Sequence, residues 1–395
     1  MGANYDFDSV IHRRSCGSEK WHIARNSAGV LPEGVVPLSV ADMEFRSPEP
    51  VRRALAELAQ FGMWGYSMPT EGCVEALRGW YLRRQGWDID PRWLVHTNNV
   101  VAALGGAVRA FTQPGDKVII QTPVYPPFYR VVESNGRTLV KNPLIREGMD
   151  YRMDLADLAE KAKGAKMLIL CSPHNPVGRV WSRAELEGLA RICRDNGVLV
   201  VADEIHGDLI QPGFDHIAYG TLGEEYAQNA VICVSASKSF SFAGLACATV
   251  VIPNGELRER FRAQKDRDGF GTESMFGMAA MEAAYRHCED WFDTMVAYVG
   301  DNHSYLRAFL ARRFPKAGLN ELQGTYLAWV DLNCLGLEPD ALDLFLRDEA
   351  DLFVNDGRMF GEECAGFIRI NLACPRQVLA EALERLDRAA ARRGL

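Results

Sequence analysis

The sequence feature that most constrains the fold is a series of short apolar segments that alternate with helical patterns. Each segment is followed by a polar turn, which is typical of strands buried on both faces of a sheet. The candidate strands lie at residues 117–121, 138–142, 166–171, 197–202, 231–234 and 248–252. A helical pattern lies between most of them, such as residues 182–196, where Ser182 is the expected N-terminal cap. This alternation predicts an α/β fold with a mainly parallel sheet covered by helices.

Chemically versatile side chains follow four of these segments. Tyr125 follows the first, Asn175 follows the third, Asp203 and His206 follow the fourth, and Lys238 follows the fifth. Ligands of parallel sheets bind beyond the carboxyl ends of the strands. We therefore expect these side chains to converge on one site.

Lys238 is the most informative of them. Most lysines are solvated, but this one ends a buried strand among Ser235, Ser237 and Ser239, and no carboxylate is near in sequence. A lysine in a partly dry pocket loses its proton more easily and can form a Schiff base with an aldehyde. The hypothesis is that Lys238 carries pyridoxal phosphate (PLP), with Ser235 and Ser237 helping to hold the phosphate.

The other side chains match contacts that PLP needs, and each has a simpler alternative. Asp203 can keep the pyridine nitrogen protonated, or it can cap a helix. Asn175 can donate to the phenolic oxygen, or it can form an Asn-Pro turn. Tyr125 can stack on the ring, or it can pack in the core. His206 can touch the phenolic oxygen or orient Asp203, or it can be a packing residue.

Two further positions suit anions. Arg369 lies between Ile368 and Ile370 in an apolar strand, where its planar guanidinium suits an α-carboxylate; the alternative is an internal salt bridge. A helix of small residues is expected to begin after Asn99, and the free N–H groups at its start would suit a phosphate, but any strand-to-helix turn has a similar pattern.

The rest of the chain predicts a second, smaller α+β domain. Its strand-like segments are residues 324–331 and 366–372, and its last helix spans residues 376–393. We expect a large domain at 48–287 and a small domain built from 1–47 and 288–395.

Three features near the N-terminus complete the expected elements. Ser47 is the expected cap of a helix with Pro48 in its first turn. Residues 61–69 are expected to form an aromatic loop that either carries function or tucks its rings inward. A helix is expected at residues 71–85.

Composition excludes several classes of function. The net charge is −8 and there is no basic run, which argues against a nucleic-acid partner. The apolar runs are too short to span a membrane, and the N-terminus lacks the pattern of a signal peptide. The ten scattered cysteines form no CxxC pair, which favours a reduced, cytoplasmic protein with no zinc or other metal site.

The combination of motifs resembles the fold-type I PLP enzymes of the aspartate aminotransferase superfamily over nearly the whole chain. The motifs are Asn175-Pro-Val-Gly178, Asp203-Glu-Ile-His206, Ser235-x-Ser-Lys238 and Arg369. Within that superfamily the chain is most similar to the MalY/PatB branch of cystathionine β-lyase-like C–S lyases. The segments that carry this likeness include Val40-Ala-Asp-Met-Glu-Phe45, Gly324-Thr-Tyr-Leu-Ala-Trp329 and Phe367-Ile-Arg-Ile-Asn-Leu372.

The resemblance implies a role for each residue. Lys238, Asp203 and Tyr125 would be catalytic, and His206 would lie at the cofactor. Asn175 would bind the phenolic oxygen and the substrate. The resemblance further implies that the phosphate is held by Val100, Val101, Ser235 and Ser237, and by Tyr66 of a neighbouring subunit in a homodimer with shared active sites. Arg369 would bind the substrate carboxylate, assisted by the backbone near Ala41.

The chain departs from the branch at Asn99, Ser241, Pro126 and the loop at residues 271–275. These departures leave the natural substrate and its pathway open. The implied activity is β-elimination of an L-cysteine thioconjugate, such as cystathionine, to a thiol, pyruvate and ammonia. The alternative is an aminotransferase, since the first chemical steps are shared. A non-catalytic regulator is disfavoured by the intact set of lysine, acid and arginine.

Overall fold

The computed structural model describes residues 5–269, 271 and 274–395, so the expected departure at residues 271–275 lies partly outside the described residues. The α-helices are α1 (Glu19–Ile23), α2 (Glu49–Phe61), α3 (Glu71–Gln85), α4 (Val100–Phe111), α5 (Pro127–Glu133), α6 (Leu155–Lys161), α7 (Arg183–Asp195), α8 (Glu224–Ala227), α9 (Gly255–Arg267), α10 (Met275–His287), α11 (Glu289–Arg313), α12 (Pro339–Leu344) and α13 (Arg376–Arg393). The strands are β1 (Leu94–Thr97), β2 (Lys117–Thr122), β3 (Thr138–Pro143), β4 (Ile145–Glu147), β5 (Asp150–Arg152), β6 (Ala165–Cys171), β7 (Leu199–Asp203), β8 (Ala230–Val234), β9 (Ala248–Val251), β10 (Gly318–Leu319), β11 (Leu327–Asp331), β12 (Asn355–Asp356) and β13 (Phe367–Asn371).

The large sheet has seven strands in the order β1-β9-β8-β7-β6-β2-β3. The pairs from β8 through β3 are parallel, whereas β9 is antiparallel to both β8 and β1. The predicted α/β fold with a mainly parallel sheet is therefore confirmed. The segment predicted at residues 248–252 is the one that runs against its neighbours, and apolar patterning does not distinguish direction.

Both faces of the large sheet are buried, because successive side chains of a strand point to opposite sides. In β6, Met167 and Ile169 contribute to one apolar cluster, and Leu168 and Leu170 contribute to the other. Helices cover both faces, which explains why the strands are continuously apolar rather than alternating. Because the faces are covered, polar side chains that could bind a ligand are found at the ends of the strands.

A second, antiparallel sheet has the order β10-β11-β13-β12. In its register Arg369 is paired with Trp329 on one side and with Asn355 on the other. The predicted strand-like segments at 324–331 and 366–372 correspond to β11 and β13, and α13 has the bounds expected from the sequence.

The N-terminal segment adds to this second sheet. The amide of Leu38 donates to Phe353 O at 2.8 Å, and its carbonyl accepts from the Asn371 amide at 2.9 Å. Glu44 N donates to Ala373 O at 2.9 Å. These contacts support the division that we propose, with a large domain at 48–287 and a small domain formed by 1–47 and 288–395.

The expected helix caps have mixed outcomes. Ser182 caps α7 in a full capping box with Glu185, as predicted. Ser47 does not cap α2: Pro48 occupies the N-cap position, and the Ser47 hydroxyl instead donates to Phe240 O at 3.1 Å. The Ser47 prediction is wrong because its side chain turns towards a distant backbone segment.

The aromatic loop at residues 61–69 was expected either to carry function or to tuck its rings inward, and the exposure of its rings decides against the second alternative. Phe61 ends α2, and the residues after it have no regular structure. Phe61, Trp64 and Tyr66 are 66, 60 and 97 % exposed, so the interpretation that the loop tucks its rings inward is wrong for this chain. No helix within the described residues is both long and apolar enough to cross a membrane.

Candidate active site

The carboxyl ends of the parallel strands come together as the sequence predicts. Ser172 N, just after β6, donates to the carbonyl of Asp203 at the end of β7, at 3.0 Å. The Tyr125 amide, after β2, donates to Asn175 O at 3.1 Å. Backbone hydrogen bonds therefore hold these neighbouring strand ends at one edge of the sheet.

Lys238 lies in the turn after β8 and is partly buried. Its ammonium donates to the carbonyl oxygen of Ala41, which also accepts from the Tyr326 hydroxyl at 2.9 Å. Burial lowers the pKa of Lys238 to about 8; the Asp42 carboxylate opposes this fall, while Arg369 adds to it. About a tenth of the amine is therefore neutral at pH 7, far more than for a solvated lysine, and the neutral form is what a nucleophile or a general base requires.

Asp203 is the last residue of β7 and is 4 % exposed. Its carboxylate accepts from Ile205 N at 3.1 Å. Burial raises the pKa of Asp203 to about 7, against the opposing effects of this hydrogen bond and of the Lys238 charge. A cationic group placed against Asp203 would therefore be strongly favoured, because it would offset the cost of the buried carboxylate.

Arg369 is buried in the middle of β13. Nη1 donates to Asn175 Oδ1 at 2.9 Å, and Nη2 donates to Asn355 Oδ1 at 2.8 Å. The guanidinium carbon lies 4.7 Å from the centroid of the Phe360 ring.

No carboxylate among the described residues forms an ion pair with this arginine, so the alternative of an internal salt bridge is wrong. Burial lowers the pKa of Arg369 to about 10. The guanidinium is thus a buried cation that lacks an anionic partner.

The start of α4 offers free backbone donors. Asn99 is the N-cap, and its side-chain oxygen accepts from Ala102 N at 2.8 Å. That bond uses the third amide of the helix, which leaves the amides of Val100 and Val101 available to an anion.

The two serines that are predicted to help hold the phosphate, Ser235 and Ser237, lie after β8. The Ser235 hydroxyl donates to Cys247 O at 2.7 Å and lies 2.8 Å from the Ser237 hydroxyl. The pair is thus fixed in position beside the turn that carries Lys238.

Three more residues predicted for the site, His206, Tyr125 and Tyr66, differ in how deeply they are buried. His206 is buried, and burial keeps its pKa well below the usual value, so the ring is neutral. Its Nδ1 has no hydrogen-bond partner in the part of the chain that the structure describes. Tyr125 is partly buried, with its ring centroid 6.3 Å from that of Phe128. Tyr66 is almost fully exposed.

A set of residues that the sequence did not predict holds the turn beneath Lys238. The buried ammonium of Lys20 donates to the carbonyl of Asp42 at 2.7 Å and contacts the carboxylates of Asp42 and Glu44 at 2.7 and 2.9 Å. Asn371 Nδ2 donates to the same Asp42 carbonyl at 2.6 Å. Asp42 and Glu44 follow an apolar run, and this pattern could have predicted a buried cation, since buried carboxylates require one. Asn355, which binds Arg369, was also not predicted, and no local pattern marks it.

The chain matches known proteins along most of its length. The family model described as aminotransferase class I and II matches residues 33–386. Cystathionine beta-lyase PatB of Bacillus subtilis is 37 % identical over 386 residues, covering 97 % of this chain and 99 % of that protein.

Two solved structures have nearly the same fold. Cystalysin from Treponema denticola, described as containing a pyridoxal 5'-phosphate cofactor, has a TM-score of 0.96 at 36 % identity and covers 98 % of this chain and 99 % of its own. The PLP-bound C–S lyase from Staphylococcus hominis has a TM-score of 0.90 at 32 % identity, with 98 % of both chains covered.

Proposed function

Because the chain belongs to the aminotransferase class I and II family, we propose that it is a PLP-dependent C–S lyase that eliminates a thiol from L-cysteine thioconjugates. The products are a thiol, pyruvate and ammonia, with one water consumed. The observation that carries the proposal is the buried Arg369, which has no carboxylate partner among the described residues. It is hydrogen-bonded to Asn175 at the edge of the large sheet where Asp203 and Lys238 also follow their strands.

The residues present fit PLP. Lys238 offers an amine whose lowered pKa leaves it partly neutral, which bonding to an aldehyde requires. Asp203 offers a buried carboxyl that gains from a cationic ring nitrogen. The first amides of α4, with Ser235 and Ser237, offer donors to a phosphate. Bound PLP supplies an electron sink for negative charge that develops on the carbon next to the substrate nitrogen.

Arg369 would bind the substrate carboxylate. Two of the five N–H groups of its guanidinium are used by Asn175 and Asn355, so three remain for an anion. Those two amides fix the plane of the guanidinium, so its fork is oriented before the substrate arrives. The backbone near Ala41 is the proposed second contact.

Lys238 would move the proton. Its neutral amine takes the proton from the α-carbon of the substrate, and the resulting ammonium donates to the carbonyl of Ala41, as in this structure. The nearby Asp42 carboxylate stabilises that ammonium. The carbon–sulfur bond then breaks and the sulfur leaves as a thiolate. Asp203 stays ionised while it faces a cation, and Tyr125 and Asn175 are proposed to hold the ring from its face and edge.

The test is to mix the PLP-loaded protein with L-cystathionine in the absence of any keto acid and to measure pyruvate and free thiol. We expect both in equal amounts. Loss of the bound cofactor's aldehyde form without pyruvate would favour the aminotransferase alternative. Lys238→Ala is expected to abolish turnover, and full activity in that variant would contradict the role of Lys238.

We also propose that the protein is a homodimer in the cytoplasm and that Tyr66 reaches the phosphate site of the neighbouring subunit. The exposed rings and methionines of the loop after α2 support this, because large exposed apolar patches usually mark interfaces. Tyr66→Ala is expected to weaken PLP binding only when dimers form, which PLP titration at increasing protein concentration would detect.

A further inference from the structure

A buried carboxylate that the proposed mechanism does not use contacts the turn that carries Lys238. Asp208 lies in the turn after β7 and is buried. Its Oδ2 accepts from the hydroxyl of Ser239 at 2.7 Å. Ser239 directly follows Lys238 and is fully buried. One hydrogen bond therefore joins the turn after β7 to the turn after β8.

The other oxygen of Asp208 is held by α3. Trp80 Nε1 donates to Oδ1 at 2.8 Å, and Gln85 Nε2 donates to the same atom at 3.4 Å. The indole of Trp80 is itself fully buried and stacks on Tyr285, with ring centroids 4.9 Å apart. Because indole and amide N–H groups can only donate, these contacts fix which oxygen faces α3 and which faces Ser239.

The turn after β8 is held on both sides of Lys238. Before the lysine, the Ser235 hydroxyl is bonded to the backbone ahead of β9 at 2.7 Å. After the lysine, the ring of Phe240 lies edge-on against Trp80, with centroids 5.6 Å apart. The same indole of α3 therefore contacts both Asp208 and the turn that carries Lys238.

The burial of Asp208 is electrostatically costly. Its three donors are all neutral groups, and no ion pair to it is found among the described residues. Burial raises the pKa of this carboxyl, and the hydrogen bonds from Ser239 and Trp80 oppose that rise. The charges of Arg84 and His216 oppose it as well. Since a buried carboxylate without a paired cation costs stability, its presence beside a catalytic turn indicates a functional role.

The two turns carry the two groups that the cofactor must contact at once. PLP has its aldehyde and its ring nitrogen on opposite sides of the pyridine ring, so the ring must span from Lys238 to Asp203. Asp203 ends β7, and Asp208 follows in the next turn. Leu209 N donates to His206 O at 2.9 Å, which holds that turn closed. A bond from Asp208 to the lysine turn therefore constrains the span.

We propose that Asp208 and Ser239 are positioning residues for Lys238. Their hydrogen bond fixes the turn after β8 against the turn after β7, and so sets the distance between the Lys238 amine and the Asp203 carboxyl. Asp208 acts through this bond rather than through its charge. Without the bond, the turn gains freedom and the amine becomes more hydrated. The expected effect on turnover rests on the proposed lyase function, whereas the effect on cofactor capture depends only on PLP binding.

The first test measures the pH midpoint of PLP capture by the cofactor-free protein, using stopped-flow absorbance. This midpoint reports the pKa of Lys238, which burial lowers to about 8. Ser239→Ala breaks the bond without replacing a charged group. The midpoint should rise by about one unit towards the ordinary lysine value of 10.5, because a more hydrated amine holds its proton more firmly. The charged groups that act on Lys238 stay in place: Asp42, Arg369, Lys20 and Asp203.

Asp208→Asn separates the bond from the charge. The amide oxygen can still face Trp80 and Gln85, and the amide nitrogen can donate to Ser239 Oγ, so the link between the turns is kept. The midpoint should therefore stay within about 0.3 units of the original value. A midpoint that falls would show that Asp208 acts through its charge, because loss of a carboxylate disfavours the ammonium, and it would overturn the proposal.

The matched control is Ser182→Ala. It also removes a serine hydroxyl that donates to a carboxylate, that of Glu185 at 2.8 Å, but at the start of α7. With the PLP-loaded protein and L-cystathionine, Ser239→Ala should lower kcat about tenfold and change KM less than twofold, because Arg369 is untouched. Ser182→Ala should change neither kcat nor the capture midpoint. Equal effects of the two variants, or no effect of Ser239→Ala, would overturn the proposal.

A double-mutant cycle tests the bond directly. Asp208→Ala should shift the midpoint as Ser239→Ala does, and the double variant should shift it no further, whereas shifts that add would refute the link. Urea denaturation checks that each variant folds; if Asp208→Ala does not, Ser239→Ala and Asp208→Asn decide. Absence of pyruvate even with the original protein would contradict the lyase function alone, since the capture midpoint is measured without substrate.

Discussion

Asp203→Asn should stabilise the cofactor-free protein at high pH, even though it removes a group on which the proposed chemistry depends. The folded-state pKa of Asp203 is raised from 3.8 to about 7 by burial. Between these two values the folded protein holds a proton that the unfolded chain has released. The native state is therefore penalised progressively as the pH rises from 3.8 to about 7, and the penalty is constant above that.

The magnitude follows from the size of the pKa difference. Each pH unit in this window costs about 1.4 kcal/mol, so the full penalty is about 4 kcal/mol, of which about 3 kcal/mol accumulates between pH 5 and pH 8. Asparagine has nearly the same shape and does not ionise. The free energy of unfolding of the variant should therefore rise relative to that of the original protein by about this amount over the same interval.

The assay is urea denaturation of both cofactor-free proteins at several pH values, followed by tryptophan fluorescence. Only the difference between the proteins is used, so titrating groups that do not interact with Asp203 cancel. PLP provides the internal control: a cationic ring nitrogen against Asp203 should remove the penalty, so PLP should stabilise the original protein more than the variant at pH 8. A difference that is flat or falls between pH 5 and pH 8 would refute the reasoning.

Three further changes probe the surrounding charges. The pH midpoint of PLP capture by the cofactor-free protein is set by the pKa of Lys238, about 8. Asp42→Asn should lower this midpoint, because the Asp42 carboxylate favours the ammonium form of Lys238. Stopped-flow absorbance measures the midpoint, and Glu44→Gln is the control that should leave it unchanged. Lys20→Met should cost about 2–3 kcal/mol in urea denaturation, since Asp42 and Glu44 lose a buried cation and keep only the partly exposed Arg13, and a cost below about 1 kcal/mol would contradict that. Arg369→Ala should raise KM for L-cystathionine about 100-fold in steady-state assays while PLP affinity stays the same.

Elements that are determined by neighbouring residues, such as the start of α7 and the buried strands, could be predicted from the sequence. The α7 helix begins at a capping box formed by four consecutive residues. The buried strands are predicted by continuous apolar runs. The convergence of Asn175, Asp203 and Lys238 followed from the rule for parallel strands. The antiparallel direction of β9 was not predictable, because the same apolar run serves either direction once both faces are covered.

The missed residues share a physical cause, which is that their partners are distant in the chain. Asn355 acquires its role only because β12 pairs with β13 and places it opposite Arg369. Lys20 becomes a buried cation only when the N-terminal segment brings Asp42 and Glu44 around it. Ser47 carried a misleading local signal, since a hydroxyl before a helix can also bond to a remote carbonyl, as it does here with Phe240.

The three central ionisable groups of the site have one property in common. Burial shifts the pKa of Asp203, Lys238 and Arg369 in the direction that disfavours the charged form of each. A protein shaped only for stability would pair these groups with each other or replace them by apolar residues. Instead, the arginine binds two neutral amides and the lysine a carbonyl, so their charges remain available. A cationic ring nitrogen and a substrate carboxylate supply the opposite charges that Asp203 and Arg369 lack. Binding of these two groups therefore offsets the electrostatic cost of burying unpaired charges during folding. The burial of Asp203 and Arg369 in this way increases the affinity for this cofactor and substrate class.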